Sequence, residues 1–241
     1  MPDRGPLRTM TLEKSRRFWD EKAQENAFWY VSSYGPYAGR DLQEFWASGV
    51  RIWGELKAAV GYEPKPADVV VEIGCGVGRL TRAIAPEVGQ VHAFDLSAEM
   101  LAKARELPLP NATFHHADGK SLAGMPDGSA DLVLAYCVFQ HLPSEDVLGS
   151  YLKEMQRVAR RGGLVAFTLT PRGWRSALLP VSRMRRWVTE KLDRSGPRGL
   201  FDRAWTGIRP SRAAVARLSG VPLQSVVLHG DKWLFWHRRH T

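Results

Sequence analysis

The sequence predicts an α/β protein built on a doubly wound, parallel sheet. Two observations carry this. A β-branched run, Val69-Val70-Val71-Glu72-Ile73, stops at Gly74-Cys75-Gly76-Val77-Gly78 and yields to a helical pattern of Leu80, Ala83 and Ile84. Strand, glycine turn and helix open a nucleotide-type βαβ unit, and apolar residues on both faces suit a strand covered on both sides. Strand-like and helix-like segments then alternate as far as Leu169, the pattern of a parallel sheet with helices on its faces.

Taken in order, Leu12–Val31 reads as a helix, with Phe18, Trp19, Ala23, Ala27 and Tyr30 at spacings of three and four. Gly35-Pro36 breaks it, and Asp41–Val60 resumes with Leu42, Phe45, Trp46, Val50, Trp53 and Leu56 on one stripe. Most of these aromatics are expected to pack in the core. After the first strand and its helix, Val91–Asp95 is a second strand and Leu96–Leu107 a helix. Thr113–His115 is a short third strand, and Asp131–Val138 a fourth, apolar on both faces. Glu145–Ala159 is an amphipathic helix ended by Arg160-Arg161-Gly162-Gly163, and Leu164–Leu169 a fifth strand.

Pro171–Pro210 leaves the alternation. Its helix, Arg183–Leu192, is capped by Ser182 and stopped by Gly196-Pro197. Ser211–Leu218 is a further short helix. Leu223–Leu228 and Lys232–Trp236 then read as strands around the turn His229-Gly230-Asp231. We expect one domain over residues 1–241: a helical cap (1–62), a core (68–170), a basic insertion (171–210) and a final helix with strands (211–241).

Composition narrows the function classes. The chain has 241 residues, 44% hydrophobic, with 9 Trp, which excludes a disordered protein. No apolar run is long enough to span a membrane, and Met1–Thr11 lacks a signal-peptide core. Two cysteines build no disulfide framework, so a reducing cytoplasm is the expected location. The net charge of +9 is uneven: residues 171–241 hold 15 Arg and Lys against 4 Asp and Glu, and the first 170 hold 19 against 21. The basic character belongs to the C-terminal part.

The glycine turn is the chemical centre. A dinucleotide site wants G-x-G-x-x-G, and here Arg79 stands where its last glycine would be. Glu72, just before the turn, would repel a pyrophosphate and suits an ammonium group. On these residues the stretch resembles motif I of the class I S-adenosylmethionine-dependent methyltransferases. Asp131-Leu-Val-Leu-Ala-Tyr-Cys-Val-Phe-Gln-His-Leu-Pro143 is similar to the family's motif IV, in a branch resembling quinone-biosynthesis enzymes. The likeness covers Val69–Leu169 and, by position, the last two strands. The insertion before those strands departs from the pattern.

The resemblance implies a seven-stranded, mostly parallel, Rossmann-like sheet with an antiparallel last strand and an N-terminal helical cap. It implies S-adenosyl-L-methionine as cofactor, S-adenosyl-L-homocysteine as product and no metal. Glu72, Gly74, Cys75, Gly76 and Gly78 would cradle the cofactor. Asp95, ending the second strand, would take the ribose hydroxyls, although a dehydrogenase uses an acid at the same place. Asp118 and Gly119 would hold the adenine edge, with Leu96 and Leu122 around its ring. An ordinary Asp-Gly turn is the competing reading of that pair. Cys137 would offer backbone to the methionyl part, and Trp19 and Tyr30 would help wall the substrate. His141 suits a general base, or else braces its loop. His115 and His116 are read as packing or solvent-facing.

The expected reaction moves a methyl group to an O, N or C nucleophile of a small, anionic organic molecule, with the insertion as a lid. An RNA-directed methyltransferase, with Trp174, Trp187 and Trp205 stacking on bases, is the second reading. Membrane-surface docking by Arg183–Leu192 is a third role for the insertion. From other classes stand a non-catalytic nucleotide-binding protein and an NAD-dependent dehydrogenase.

Overall fold

A computed structural model of the chain describes residues 10–32, 36–39, 41–171, 196–199, 202–229 and 232–239. The expected helix Arg183–Leu192, with Trp174 and Trp187, lies outside these residues. Two helices precede the sheet: α1 (Leu12–Ser32) and α2 (Leu42–Val60). Alternation follows: β1 (Val69–Ile73), α3 (Arg79–Ile84), β2 (Gln90–Asp95), α4 (Ala98–Ala104), β3 (Ala112–His116), β4 (Ala130–Ala135), α5 (Glu145–Val158) and β5 (Ala159–Leu169). The single turn α6 (Arg203–Thr206), α7 (Arg212–Ser219), β6 (Gln224–His229) and β7 (Lys232–Arg238) complete the described chain.

The seven strands form one sheet in the order β3-β2-β1-β4-β5-β7-β6. β1 to β5 run parallel, and β7 lies antiparallel to both β5 and β6. The strand order reverses between β1 and β4, so a crevice opens at the C-terminal ends of the central strands, where α/β sheets bind ligands.

Period-two alternation in the strands builds a core on each face. Val71, Val133, Val165 and Phe235 pack with Leu148, Leu152 and Met155 of α5 on one side. Val70, Leu132, Leu164 and Leu234 pack with Trp53 and Leu56 of α2 and with Leu80 and Ile84 of α3 on the other. Phe45, Trp53 and Leu56 of the expected α2 stripe are buried at 2% exposure, whereas Leu42 and Val50 of the same stripe face solvent, so only part of it is core.

Capping groups fix the helix starts. Asp41 accepts the amides of Gln43 (2.8 Å) and Glu44 (3.3 Å), and Gly61 ends α2 in the left-handed region. Ser97 caps α4 through the Met100 amide (3.1 Å) and donates its hydroxyl to Asp20 of α1 (2.7 Å), tying the cap helix to the sheet. α1 is not continuous. Asn26 has φ −166° and ψ 75° and holds the kink by donating to the Tyr37 carbonyl (2.6 Å).

Two strand boundaries differ by three residues or more. The fourth strand ends at Ala135 rather than Val138, because the chain turns out of the sheet at Cys137, which has φ 60°. The fifth strand starts at Ala159, not Leu164. Its pairing with β4 jumps from Ala130↔Ala159 to Leu132↔Leu164, so Arg160–Gly163 bulge from the ladder instead of merely ending the helix. Arg160 there pairs with Asp131.

Candidate active site

The crevice is a cavity of about 790 Å³, closed on one side by α1 and on the other by the exits of β1, β2, β4 and β5. This is within the usual range for small-molecule sites, roughly 300–1,000 Å³. Its floor is the glycine turn. The Gly74 and Cys75 amides donate to the Phe94 carbonyl (2.7 and 3.0 Å), which pins the turn to β2. Gly74 (φ 72°) and Gly76 (φ 55°) both line the cavity in the left-handed region that glycine tolerates. Gly78 does not. It starts α3, and a Cβ there would lie 2.6 Å from Leu107 Cδ1, so it serves helix packing rather than the cavity.

Asp95 is the keystone of this floor. Its Oδ2 accepts the Gly76 amide (2.7 Å) and its Oδ1 the Ser97 amide (2.8 Å). One carboxylate therefore fixes both the glycine turn and the start of α4, and it still lines the cavity. Burial raises its pKa, against the pull of the two amides. Glu72, at 3% exposure, accepts from Thr81 Oγ1 (2.6 Å). Burial, with Asp95's charge nearby, pushes it up to about 7 against the Thr81 bond. Arg79 also borders the cavity, but its guanidinium turns toward α2, over the Phe45 ring (5.6 Å) and beside Ser48 Oγ (3.4 Å). Cys75 lines the floor, its thiol held protonated by burial.

The adenine-side expectations fare unevenly. Leu96 and Gly119 line the cavity with Leu12 of α1, and a Cβ on Gly119 would meet Leu12 Cδ2 at 2.7 Å. Asp118 stands outside the cavity wall. Its Oδ1 accepts the amides of Lys120 (2.8 Å) and Ser121 (2.7 Å), and its Oδ2 the Ser121 hydroxyl (2.9 Å). Partial burial would raise this carboxyl, but these bonds outweigh it and hold the pKa below the usual range. These are the bonds of an Asp-Gly turn, the competing reading of the pair. Leu122 is fully buried in the α5-side core and does not face the ligand space.

The other end is aromatic. Trp19, Tyr30 and Trp205 line it with His141. The Trp205 ring lies 5.7 Å from Trp19, 5.8 Å from Tyr30 and 5.2 Å from His141. The Tyr30 hydroxyl is already bonded to Glu25 (2.9 Å) and to the main chain of Arg198, so its ring, not its oxygen, faces inward. His141 ends the 3-10 turn Phe139–His141, and its Nδ1 lies 2.5 Å from the Trp205 carbonyl. A carbonyl only accepts, so Nδ1 carries the proton and Nε2 keeps a lone pair. Gln140 Nε2 lies 3.3 Å from that Nε2, on the donor side of the bond. Burial, helped by Lys232's charge and opposed by the Trp205 bond, lowers the imidazole to about 4, so it is neutral at physiological pH.

Several wall residues escaped the sequence reading. Ser15 Oγ and Gln140 Oε1 are buried at the cavity without a hydrogen-bond partner among the described residues. Cys137 lines the cavity, with its amide on Thr168 Oγ1 (2.7 Å), and its thiol meets Lys232 Nζ (2.8 Å). Lys232, Gly207 and Trp205 come from the C-terminal third, far from any motif. His115 behaves as read, stacked on Phe94 (4.5 Å) and 3.0 Å from His92. His116 is exposed, bonded to the Leu96 carbonyl (3.1 Å). Among the described residues no group of three His, Cys, Asp or Glu could hold a metal, and no helix is long and apolar enough to cross a membrane.

The floor suits a cationic nucleoside. The buried Glu72 carboxylate and the half-buried Asp95 carboxylate flank bare backbone, and the Arg79 guanidinium turns toward α2, an arrangement that repels pyrophosphate and attracts a sulfonium or ammonium. The unpartnered Ser15 hydroxyl adds a polar group awaiting a ligand. Fold and floor together define an α/β nucleoside-binding protein of the methyltransferase type.

Comparison with known proteins agrees. Residues 70–163 match the family "Methyltransferase domain". A 2-methyl-6-phytyl-1,4-hydroquinone methyltransferase of Synechocystis is 32% identical over 61% of this chain, which spans only 47% of that protein. A ubiquinone biosynthesis O-methyltransferase of Methylococcus capsulatus is 29% identical over 71% of this chain and 76% of its own length. In fold, the magnesium protoporphyrin IX methyltransferase of Synechocystis, solved with bound S-adenosylhomocysteine, superposes with TM-score 0.61 at 16% identity, over 95% of this chain and 100% of its own. Residues 70–163 thus match a methyltransferase domain, and quinone-type methyltransferases are among the proteins the chain is similar to. This sets aside the dehydrogenase and the non-catalytic readings.

Proposed function

We propose that this protein transfers a methyl group from S-adenosylmethionine to an oxygen of a small, ring-bearing organic molecule. The observation that carries the acceptor side is His141: neutral, anchored through Nδ1 on Trp205, beside a cavity walled by Trp19, Tyr30 and Trp205, with an Nε2 lone pair that accepts a long bond from the Gln140 amide (3.3 Å) and that an acceptor hydroxyl would take over. The relatives named as O-methyltransferases favour oxygen. Trp205's place in this wall, rather than on an open face, weighs against the RNA reading. Two free cysteines, one of them buried, are in keeping with a cytoplasmic setting.

In this reading Gly74, Cys75 and Gly76 lie against the cofactor, Asp95 accepts its ribose hydroxyls, and Glu72 faces its ammonium. Leu96 and Gly119 border the base, and the Cys137 main chain borders the methionyl end. S-adenosylmethionine supplies a methyl on an excellent leaving group, so the protein's work is alignment and exclusion of water. His141 Nε2 accepts the proton of the acceptor hydroxyl as that oxygen attacks, and the Trp205 carbonyl steadies the imidazolium formed. The aromatic wall keeps the acceptor ring in place and bulk water out.

The direct test incubates the chain with methyl-labelled S-adenosylmethionine and a panel of phenols and quinols. Label should appear on oxygen in the best acceptor. His141→Asn should lower its kcat by about a hundredfold or more, as typical for a lost general base, and leave S-adenosylhomocysteine affinity within about threefold. Unchanged kcat would remove His141 from the mechanism.

Glu72 makes the affinity pH-dependent. A carboxylate that titrates near 7 in the empty protein must ionise to meet an ammonium. S-adenosylhomocysteine affinity should therefore rise about tenfold between pH 6 and pH 8, flattening once Glu72 is ionised. Calorimetry across that range checks this, and Glu72→Gln should abolish the slope. A slope that survives in Glu72→Gln assigns it to another group.

A further inference from the structure

The proposed reaction leaves a buried phenol of the cavity wall unused. Tyr151 of α5 is 4% exposed and lines the cavity, yet its hydroxyl makes no hydrogen bond among the described residues. Buried polar groups in folded proteins are nearly always bonded, so this exception points to a partner from outside the chain. The ring itself is held in place, stacked on Phe139 with centroids 5.6 Å apart and planes 28° from parallel.

The helix places this phenol at one end of the cavity. Glu154, three residues on and so on the same face of α5, accepts the Leu122 amide (2.9 Å), which pins the loop after β3 along that face. Tyr151 therefore comes out beside the start of the loop, where Ala117 and Gly119 line the cavity with Leu96. It packs in one cluster with Ala117 and Leu122. Burial, with the charges of Asp118 and Asp95, raises its pKa and keeps it protonated, whereas neither carboxylate acts on His141 at the aromatic end. A protonated phenol is a hydrogen-bond donor. The acids of the floor, Glu72 and Asp95, accept when ionised, and both oxygens of Asp118 are bonded within its own loop. An unprotonated ring nitrogen needs a donor, and Tyr151 supplies one at this end.

We infer that Tyr151 reads the nucleobase of the cofactor, its hydroxyl donating to an unprotonated ring nitrogen of the adenine. The inference rests on the methyltransferase reading above and adds to it a binding residue from α5, at the end away from His141. Tyr151 sets the affinity for the nucleoside and takes no part in moving the methyl group.

The test titrates the full chain, by calorimetry, with S-adenosylhomocysteine and with its 1-deaza, 3-deaza and 7-deaza analogues, each of which replaces one ring nitrogen by C–H. Tyr151→Phe keeps the ring and its stack on Phe139, and should lower S-adenosylhomocysteine affinity about fivefold, as expected for one neutral hydrogen bond. One of the three analogues should bind the parent about fivefold more weakly and yet bind Tyr151→Phe as S-adenosylhomocysteine does, because both changes remove the same bond. The other two should lose equally in both proteins. If Tyr151→Phe binds S-adenosylhomocysteine as the parent does, or if every analogue keeps in the variant the loss it shows in the parent, the inference is overturned while the cofactor reading stands. A parent that binds no S-adenosylhomocysteine overturns the cofactor reading and this inference with it.

Discussion

Asp95→Ala should lower S-adenosylhomocysteine affinity by about a hundredfold or more. Two charge-assisted bonds to ribose hydroxyls, at about 1.5 kcal/mol or more each, account for that factor. The loss has a second source within the protein. The same carboxylate holds the Gly76 and Ser97 amides, so its removal frees the turn that forms the floor. Two buried amides left unpaired should also cost about 2 kcal/mol of stability. Calorimetry gives the affinity and thermal unfolding the stability. An affinity within about threefold of the parent, in a variant that remains folded, would show that the ribose lies elsewhere.

The second large effect is expected at Gly207. Its φ is 44°, and a Cβ there would lie 2.0 Å from the Gln140 carbonyl oxygen and 2.5 Å from His141 Cα. Both are main-chain atoms that cannot swing aside. Gly207→Ala must therefore push the α6 turn away from the 3-10 turn, and the Trp205 carbonyl with it. His141 then loses the anchor that fixes its tautomer and its aim. The best panel acceptor should be methylated at least about a hundredfold more slowly, while S-adenosylhomocysteine affinity stays within about threefold. A parallel loss of both would mean that the two ends of the cavity are not separate in function.

These two positions mark what was legible in the sequence and what was not. Asp95 could be read because strand and turn chemistry are local: β-branched residues, then glycines, then an acid one strand later. The same locality gave the strands and most helices. Gly207 carries no local signal, since its need for a bare Cα arises from Gln140, reached only through the folded chain. The His141–Trp205 bond spans 64 positions and the Cys137–Lys232 contact 95, so neither has a spacing to detect. Asp118 shows the opposite case. Its residue type suited an adenine contact, but a sequence does not say which way a short carboxylate turns, and here its own loop amides claim it. Gly78 and Leu122 fail likewise: one answers to Leu107, the other to the α5 core.

The account depends on a floor that grips a sulfonium nucleoside between the carboxylates of Glu72 and Asp95. A crystal structure of the full chain grown with S-adenosylhomocysteine tests this most directly. The account predicts the ribose on Asp95, the thioether chain over Gly74–Gly76, the amine toward Glu72 and open space left before His141. A ligand bound outside this cavity, or with its ribose away from Asp95, would contradict it.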